Sequence, residues 1–203
     1  MVDAKTAYGD FSNSGVSYVK PDGSVVFKLG CPRIYSVIPF YKQKRRTYPR
    51  HVHWVMSDEA KTKWLDPVMT TNILCGTSKE TVRRAIRNQT AFVVNALSKE
   101  YHAKLSIPGT CSVGHERVST MSPGRLCAEV KQKMERQVPS LIRKSTHSFS
   151  DLPIIVYCAH TECKAAKHLA NYLMRAGCTN IYYYAEGLVG WHGTEAVRTA
   201  FSQ

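Results

Sequence analysis

Acidic side chains are scarce in this 203-residue chain. Fifteen Asp and Glu stand against 28 Lys and Arg, which gives a formal net charge of +13. Such an excess favours acidic partners: nucleic acid, an anionic membrane surface, anionic substrates or acidic protein faces. Charge by itself does not choose among them. No run of roughly 18 apolar residues occurs, which excludes a hydrophobic membrane-spanning helix. Residues 1–10 lack the apolar stretch of a secretory signal, so an intracellular protein is expected. The seven cysteines, Cys31, Cys75, Cys111, Cys127, Cys158, Cys163 and Cys178, are odd in number and form no tight framework. Free thiols in a reducing, cytoplasmic compartment are the expectation. His51 and His53 lie two apart without a cysteine pair nearby, so no zinc site is expected and no cofactor motif stands out. What is present suffices for a core: 43% of residues are hydrophobic, in a length that suits one domain or one domain with a substantial extension.

The most informative stretch is residues 153–191. Ile154, Ile155, Val156 and Tyr157 form a short apolar run rich in β-branched residues, which suits a strand buried on both faces. The next apolar residues, Ala166, Leu169, Ala170, Leu173 and Met174, recur at helical spacing, and Gly177 sits where a helix C-cap belongs. Residues 181–184 read as a second strand. Strand, helix and strand within about thirty residues make a βαβ unit. In such sheets the chemistry lies at the carboxyl ends of the strands. Cys158 occupies that end, on a loop leading into a helix. Loop N–H groups and a helix N-terminus lower a thiol pKa and favour the nucleophilic thiolate. A buried small hydrophobe at a strand end is the equally weighted alternative on position alone.

Several segments together resemble the rhodanese-like family. They are the strand ending in Tyr157-Cys158, the loop from Cys158 to Cys163, the helix ending at Gly177, and Gly187 followed by Trp191. A second cysteine five positions after the first is a variant of that pattern. The first half agrees: residues 91–97 resemble the first core strand, and residues 98–110, with Ile107-Pro108-Gly109, resemble the following helix and its turn. The resemblance covers residues 77–192. It implies a doubly wound parallel α/β sheet with helices on both faces. It also implies a thiosulfate or persulfide sulfurtransferase in which Cys158 carries a sulfane sulfur as a persulfide. Ala159, His160, Thr161, Glu162 and Lys164 would wrap the sulfur as an anion-binding loop, with Lys164 and His160 attracting an anionic donor. Cys163 would attack the persulfide or pair with Cys158. A sulfur donor and a thiol acceptor are the partners implied. Related phosphatases carry arginine at the sixth position after the cysteine; here it is Lys164, which cannot make a planar bidentate contact to a phosphoryl group.

This chain departs from the family at Asn95 (usually Asp), Ser106 (usually His), Ala166 (usually Ser in the two-cysteine variant) and Glu186 (usually Gly). These departures make a second class of function a rival. In it, a catalytically degenerate rhodanese-like module serves as a binding or structural subunit of a larger assembly, such as a virion or another multi-protein complex.

The remainder predicts a domain division into a basic, β-rich extension, residues 1–76, and a rhodanese-like domain, residues 77–203. Pro21-Asp22-Gly23 between residues 16–20 and 24–28 predicts a hairpin. Residues 33–38 and 51–56 read as strands, and Ser57 or Asp58 as the cap of a short helix to about Leu65, ended by Pro67. Lys42, Lys44, Arg45, Arg46 and Arg50 are interleaved with Tyr41, Tyr48, His51 and His53. Such a cluster suits an acidic protein partner or nucleic acid, and equally a solvated hairpin tip. Helices are predicted over residues 78–88, 100–105, 126–138 and 194–201, with a turn at Pro123-Gly124.

Overall fold

The computed structural model describes residues 13–38, 46–66, 68–145 and 148–202. The chain divides between Ile73 and Leu74 into two compact units.

In the first unit the Pro-Asp-Gly turn forms. The Lys20 N–H donates to the Ser24 carbonyl at 2.7 Å, Asp22 Oδ1 accepts from the Ser24 N–H, and Gly23 takes φ +78°. The two arms, however, are not strands. Val16 and Tyr18 are each 72% exposed and Val19 and Val26 are exposed as well. Neither arm buries an apolar face, and an isolated hairpin is marginal in water. Regular pairing comes later: β1 (Tyr35–Val37) with β2 (Arg46–Tyr48), and β3 (His51–Trp54) with β4 (Met69–Asn72), both antiparallel. The short helix expected after Ser57 is replaced by a loop. The Asp58 carboxylate accepts from the N–H groups of Thr62 and Lys63 and from the Thr62 hydroxyl, and Lys61 adopts φ +56°. An Asp side chain that captures nearby backbone donors competes directly with the helical ladder. Pro67 lies outside the described residues.

The second unit holds a parallel sheet of β5 (Cys75–Gly76), β6 (Phe92–Asn95), β7 (Cys111–Ser112), β8 (Ile154–Tyr157) and β9 (Ile181–Tyr184), in the order β5-β9-β8-β6-β7. Residues of β6 and β8 are buried throughout because helices cover both faces. The period of two sorts them. Phe92, Val94, Ile154, Val156 and Tyr183 pack with α3 (His115–Val118), α4 (Pro123–Gln137) and α6 (Ala165–Arg175). Val93, Ile155, Tyr157 and Tyr184 pack with α1 (Lys79–Asn88), α7 (Gly187–His192) and α8 (Thr194–Phe201). Two short helices, α2 (Lys99–Lys104) and α5 (Pro139–Lys144), complete the unit.

Helix boundaries follow local chemistry. Ser78 caps α1, its hydroxyl accepting from the Thr81 N–H. Pro123-Gly124 is no turn but the opening of α4: Ser122 is the N-cap and Pro123 occupies the first turn, where its missing N–H costs nothing. Helix α6 ends in a Schellman motif. Gly177, at φ +94°, donates to the Met174 carbonyl, and Cys178 donates to that of Leu173.

The Ile-Pro-Gly turn is tied to the sheet by one phenol. Tyr157 is fully buried; its oxygen accepts from the Ile107 N–H at 3.1 Å and lies 2.7 Å from the Thr110 hydroxyl. Burial pushes its pKa up to about 12. Tyr157→Phe leaves a buried N–H unsatisfied, which is expected to cost about 1–3 kcal/mol in urea unfolding. An unchanged unfolding midpoint would show that this tie contributes nothing.

Candidate active site

Strands β6 and β8 are neighbours in the sheet but not joined in sequence. The chain passes from β6 to the edge strand β7 and returns to the opposite side of β6 as β8. The carboxyl ends of β6 and β8 therefore flank a topological switch point, where ligands gather in open α/β sheets. Asn95 ends β6 opposite Tyr157 in register. Cys158 follows immediately, and by the same alternation its side chain joins the α4 and α6 face.

The Cys158 sulfur is fully buried. It lies 3.1 Å from the carbonyl oxygen of Cys163 and 3.8 Å from that of His160. Its thiol also donates to the Cys163 sulfur, and this bond, followed by burial, pushes the Cys158 pKa well above the ordinary thiol range. Cys163 moves the other way, down to about 5: it accepts the Cys158 proton, and the N–H groups of Ala165 and Ala159 point at its sulfur. The loop thus divides its donors between two sulfurs. The two cysteines therefore titrate as a pair that shares one proton. The N–H groups of Ala166 and His160 also face the Cys158 sulfur and act in the opposite direction, favouring its thiolate.

His160, Thr161, Glu162 and Lys164 are all exposed on the loop, and Ala159 is buried beneath it. The loop is anchored from behind. The N–H groups of Leu188 and Val189 donate to the carbonyls of Cys158 and Ala159 at 3.0 and 2.9 Å. That approach requires Gly187, which sits at φ +54° with no room for a Cβ against the Cys158 carbonyl. These two donors were not legible in the sequence, and the glycine is their only local trace. Nearby, Lys79 Nζ donates to the carbonyls of Gly190 and Trp191. Lys79 and Arg83 both stand over the Trp191 ring, at 5.7 and 5.4 Å. No sequence motif marked Lys79 or Arg83. The His192 ring meets the Ser106 carbonyl at 2.9 Å, tying α7 to the start of the Ile-Pro-Gly turn.

Other thiols differ in kind. Burial pushes Cys111 up to about 11 and Cys178 up to about 12. Among the described residues no group of three or more His, Cys, Asp or Glu could hold a metal ion, and no helix is long and apolar enough to cross a membrane.

The basic cluster of the first unit is only partly described. Lys42, Lys44 and Arg45 lie outside the described residues. Arg46 is exposed and places its guanidinium 5.0 Å from the Tyr48 ring centre. Arg50 is 5% exposed, so it is a buried side chain and not part of an open basic face. Tyr35 stacks on Tyr48, and His51 packs against both and against His53.

A cysteine on the loop after the central strand of a parallel α/β sheet, at the switch point, defines a class of thiol-bearing α/β domains. Residues 78–194 match the rhodanese-like domain family, and the chain belongs to it. No curated protein matches the chain. Among solved structures, an uncharacterized protein from Saccharomyces cerevisiae is 15% identical, with a TM-score of 0.42, covering 62% of this chain and 96% of its own. A human single-domain sulfurtransferase is 14% identical, with a TM-score of 0.41, covering 59% and 96%. A Bacillus halodurans protein is 17% identical, with a TM-score of 0.41, covering 60% and 73%.

Proposed function

We propose that the chain is a sulfurtransferase that carries sulfane sulfur as a persulfide on Cys158, with Cys163 as its proton-sharing partner. The observation that carries this reading is the pairing of two cysteines on one short loop at the carboxyl end of β8, with the Cys158 sulfur 3.1 Å from the Cys163 carbonyl oxygen. The cysteine pair holds one proton between its two sulfurs, and the form with the charge on Cys158 is the nucleophile. The Cys158 thiolate attacks the outer sulfur of thiosulfate, the donor S–S bond breaks, and sulfite leaves with the bonding pair. An acceptor thiolate or cyanide then attacks the outer sulfur of the persulfide. Cys158 is restored as thiolate and recovers its proton from Cys163. Lys164 and His160, exposed on the loop, draw in the anionic donor.

The test is single-turnover sulfite release from thiosulfate as a function of pH. The Cys163 pKa is lowered, so its basic form is present above about 5 and is lost as pH falls through that value. Release is expected to be flat between about pH 6 and 8 and to decline below 5. An acid limb near roughly 8.5, the ordinary thiol value, would overturn the shared-proton pair.

A second reading draws on the full burial of the Cys158 sulfur, on the carbonyls that face it, and on Asn95, Ser106 and Glu186. In it the domain has lost turnover and serves as a binding or structural subunit of a larger assembly, with the basic extension meeting an acidic partner. Absence of sulfite release at every pH, with a folded protein, is the result that reading requires.

A further inference from the structure

The Cys158 sulfur is fully buried within its loop, where the N–H groups of Ala166 and His160 also face it. Two carbonyl oxygens, of Cys163 and His160, face its Sγ at 3.1 and 3.8 Å. The inner sulfur of a persulfide built there keeps this place within the loop. The residue beside it is Cys163, part-exposed, with its carbonyl oxygen 3.1 Å from the Cys158 sulfur. The backbone N–H groups of Ala165 and Ala159 support negative charge on the Cys163 sulfur, so an attacking thiolate stands next to that persulfide. The two residues are five apart on one short loop that α7 holds from behind, which keeps them together without a change of fold.

We propose that Cys163 resolves the Cys158 persulfide internally, releasing hydrosulfide and leaving a Cys158–Cys163 disulfide, so that the site delivers sulfide and then halts until an external dithiol reduces it. This rests on the sulfurtransferase reading above. Cys163 attacks the inner sulfur, the Cys158 Sγ. The bond between Cys158 Sγ and the sulfane sulfur breaks, and the electron pair leaves with hydrosulfide, a more acidic leaving group than an alkyl thiol. The sulfane sulfur is reduced to sulfide while the two cysteines are oxidised to a disulfide. The full balance is thiosulfate plus two thiols giving sulfite, hydrogen sulfide and one disulfide. No other oxidant enters, and a small or protein dithiol resets the site.

The test mixes reduced, desalted full-length protein with thiosulfate alone. Sulfite and sulfide are then measured, together with the mass of the tryptic peptide spanning residues 145–164. Wild type is expected to release sulfide in step with sulfite, once per chain, with that peptide losing the mass of two hydrogens. A second round is expected only after dithiothreitol is added. Cys163→Ser is expected to release sulfite more slowly, to hold an added sulfur on Cys158, and to yield roughly tenfold less sulfide or lower. A wild-type protein that releases sulfite, keeps the added sulfur on Cys158 and yields no sulfide overturns the internal resolution alone. No sulfite from wild type overturns the sulfurtransferase reading together with it.

Discussion

Cys158→Ser is expected to remove sulfite release from thiosulfate almost entirely, by about 10³-fold or more, because deleting a nucleophile leaves only the residual effects of binding. A hydroxyl cannot substitute chemically, since an alcohol is a far weaker acid than a thiol and a far poorer nucleophile toward sulfur. Structurally the exchange is mild. Serine is slightly smaller than cysteine, and its hydroxyl can donate to the Cys163 carbonyl, now 3.1 Å from the sulfur. The melting temperature should therefore shift by no more than about 4 °C, the equivalent of about 1 kcal/mol in a protein of this size. Sulfite release and a thermal melt on the same sample separate the two effects. Retained release would mean that Cys158 is not the carrier. A collapsed melt would mean that the packing of this thiol, and not its chemistry, accounts for the loss.

Gly187→Ala is expected to be the most damaging single change outside the cysteines. The residue sits at φ +54°, and an added Cβ would overlap the backbone of Cys158 and Ala159. Left-handed backbone costs about 1–3 kcal/mol for a residue with a side chain, and forced overlap adds a comparable amount. A total of about 3 kcal/mol or more corresponds to a fall of roughly 6–12 °C in melting temperature. The same displacement pulls the Leu188 and Val189 N–H groups from the carbonyls of Cys158 and Ala159, so sulfite release should fall with stability. Gly193→Ala separates backbone preference from contact. Gly193 also has positive φ, +95°, but nothing lies within 4 Å of its missing Cβ. Its substitution is expected to cost only the backbone term, about 1–3 kcal/mol. Equal losses at the two positions would refute the anchoring role given to Gly187.

The second unit was legible because its signals are local. Ser78 and Gly177 mark helix ends through backbone hydrogen bonds made within a few residues of themselves. The apolar runs at residues 92–95 and 154–157 read as two-sided strands because burial on both faces leaves no polar positions. The first unit was less legible for the same reason in reverse. Its β-prone arms around Gly23 have the right residues but no surface to bury against, and Asp58 diverts a predicted helix by capturing its own neighbours. Arg50 illustrates another limit: charge predicts exposure in general, and this arginine is buried.

The sequence by itself determined the family and the parallel α/β class, since motif spacing and periodicity are properties of the chain. Tertiary structure alone decided how the two cysteines are seated: Cys158 fully buried, with the Cys163 carbonyl oxygen 3.1 Å from its sulfur, and Cys163 part-exposed. Tertiary structure also supplied the donors from α7 that hold the loop, because residues 158 and 188 meet only once β9 lies beside β8. Contacts between segments far apart in the chain carry no local signature beyond the glycine that makes room for them.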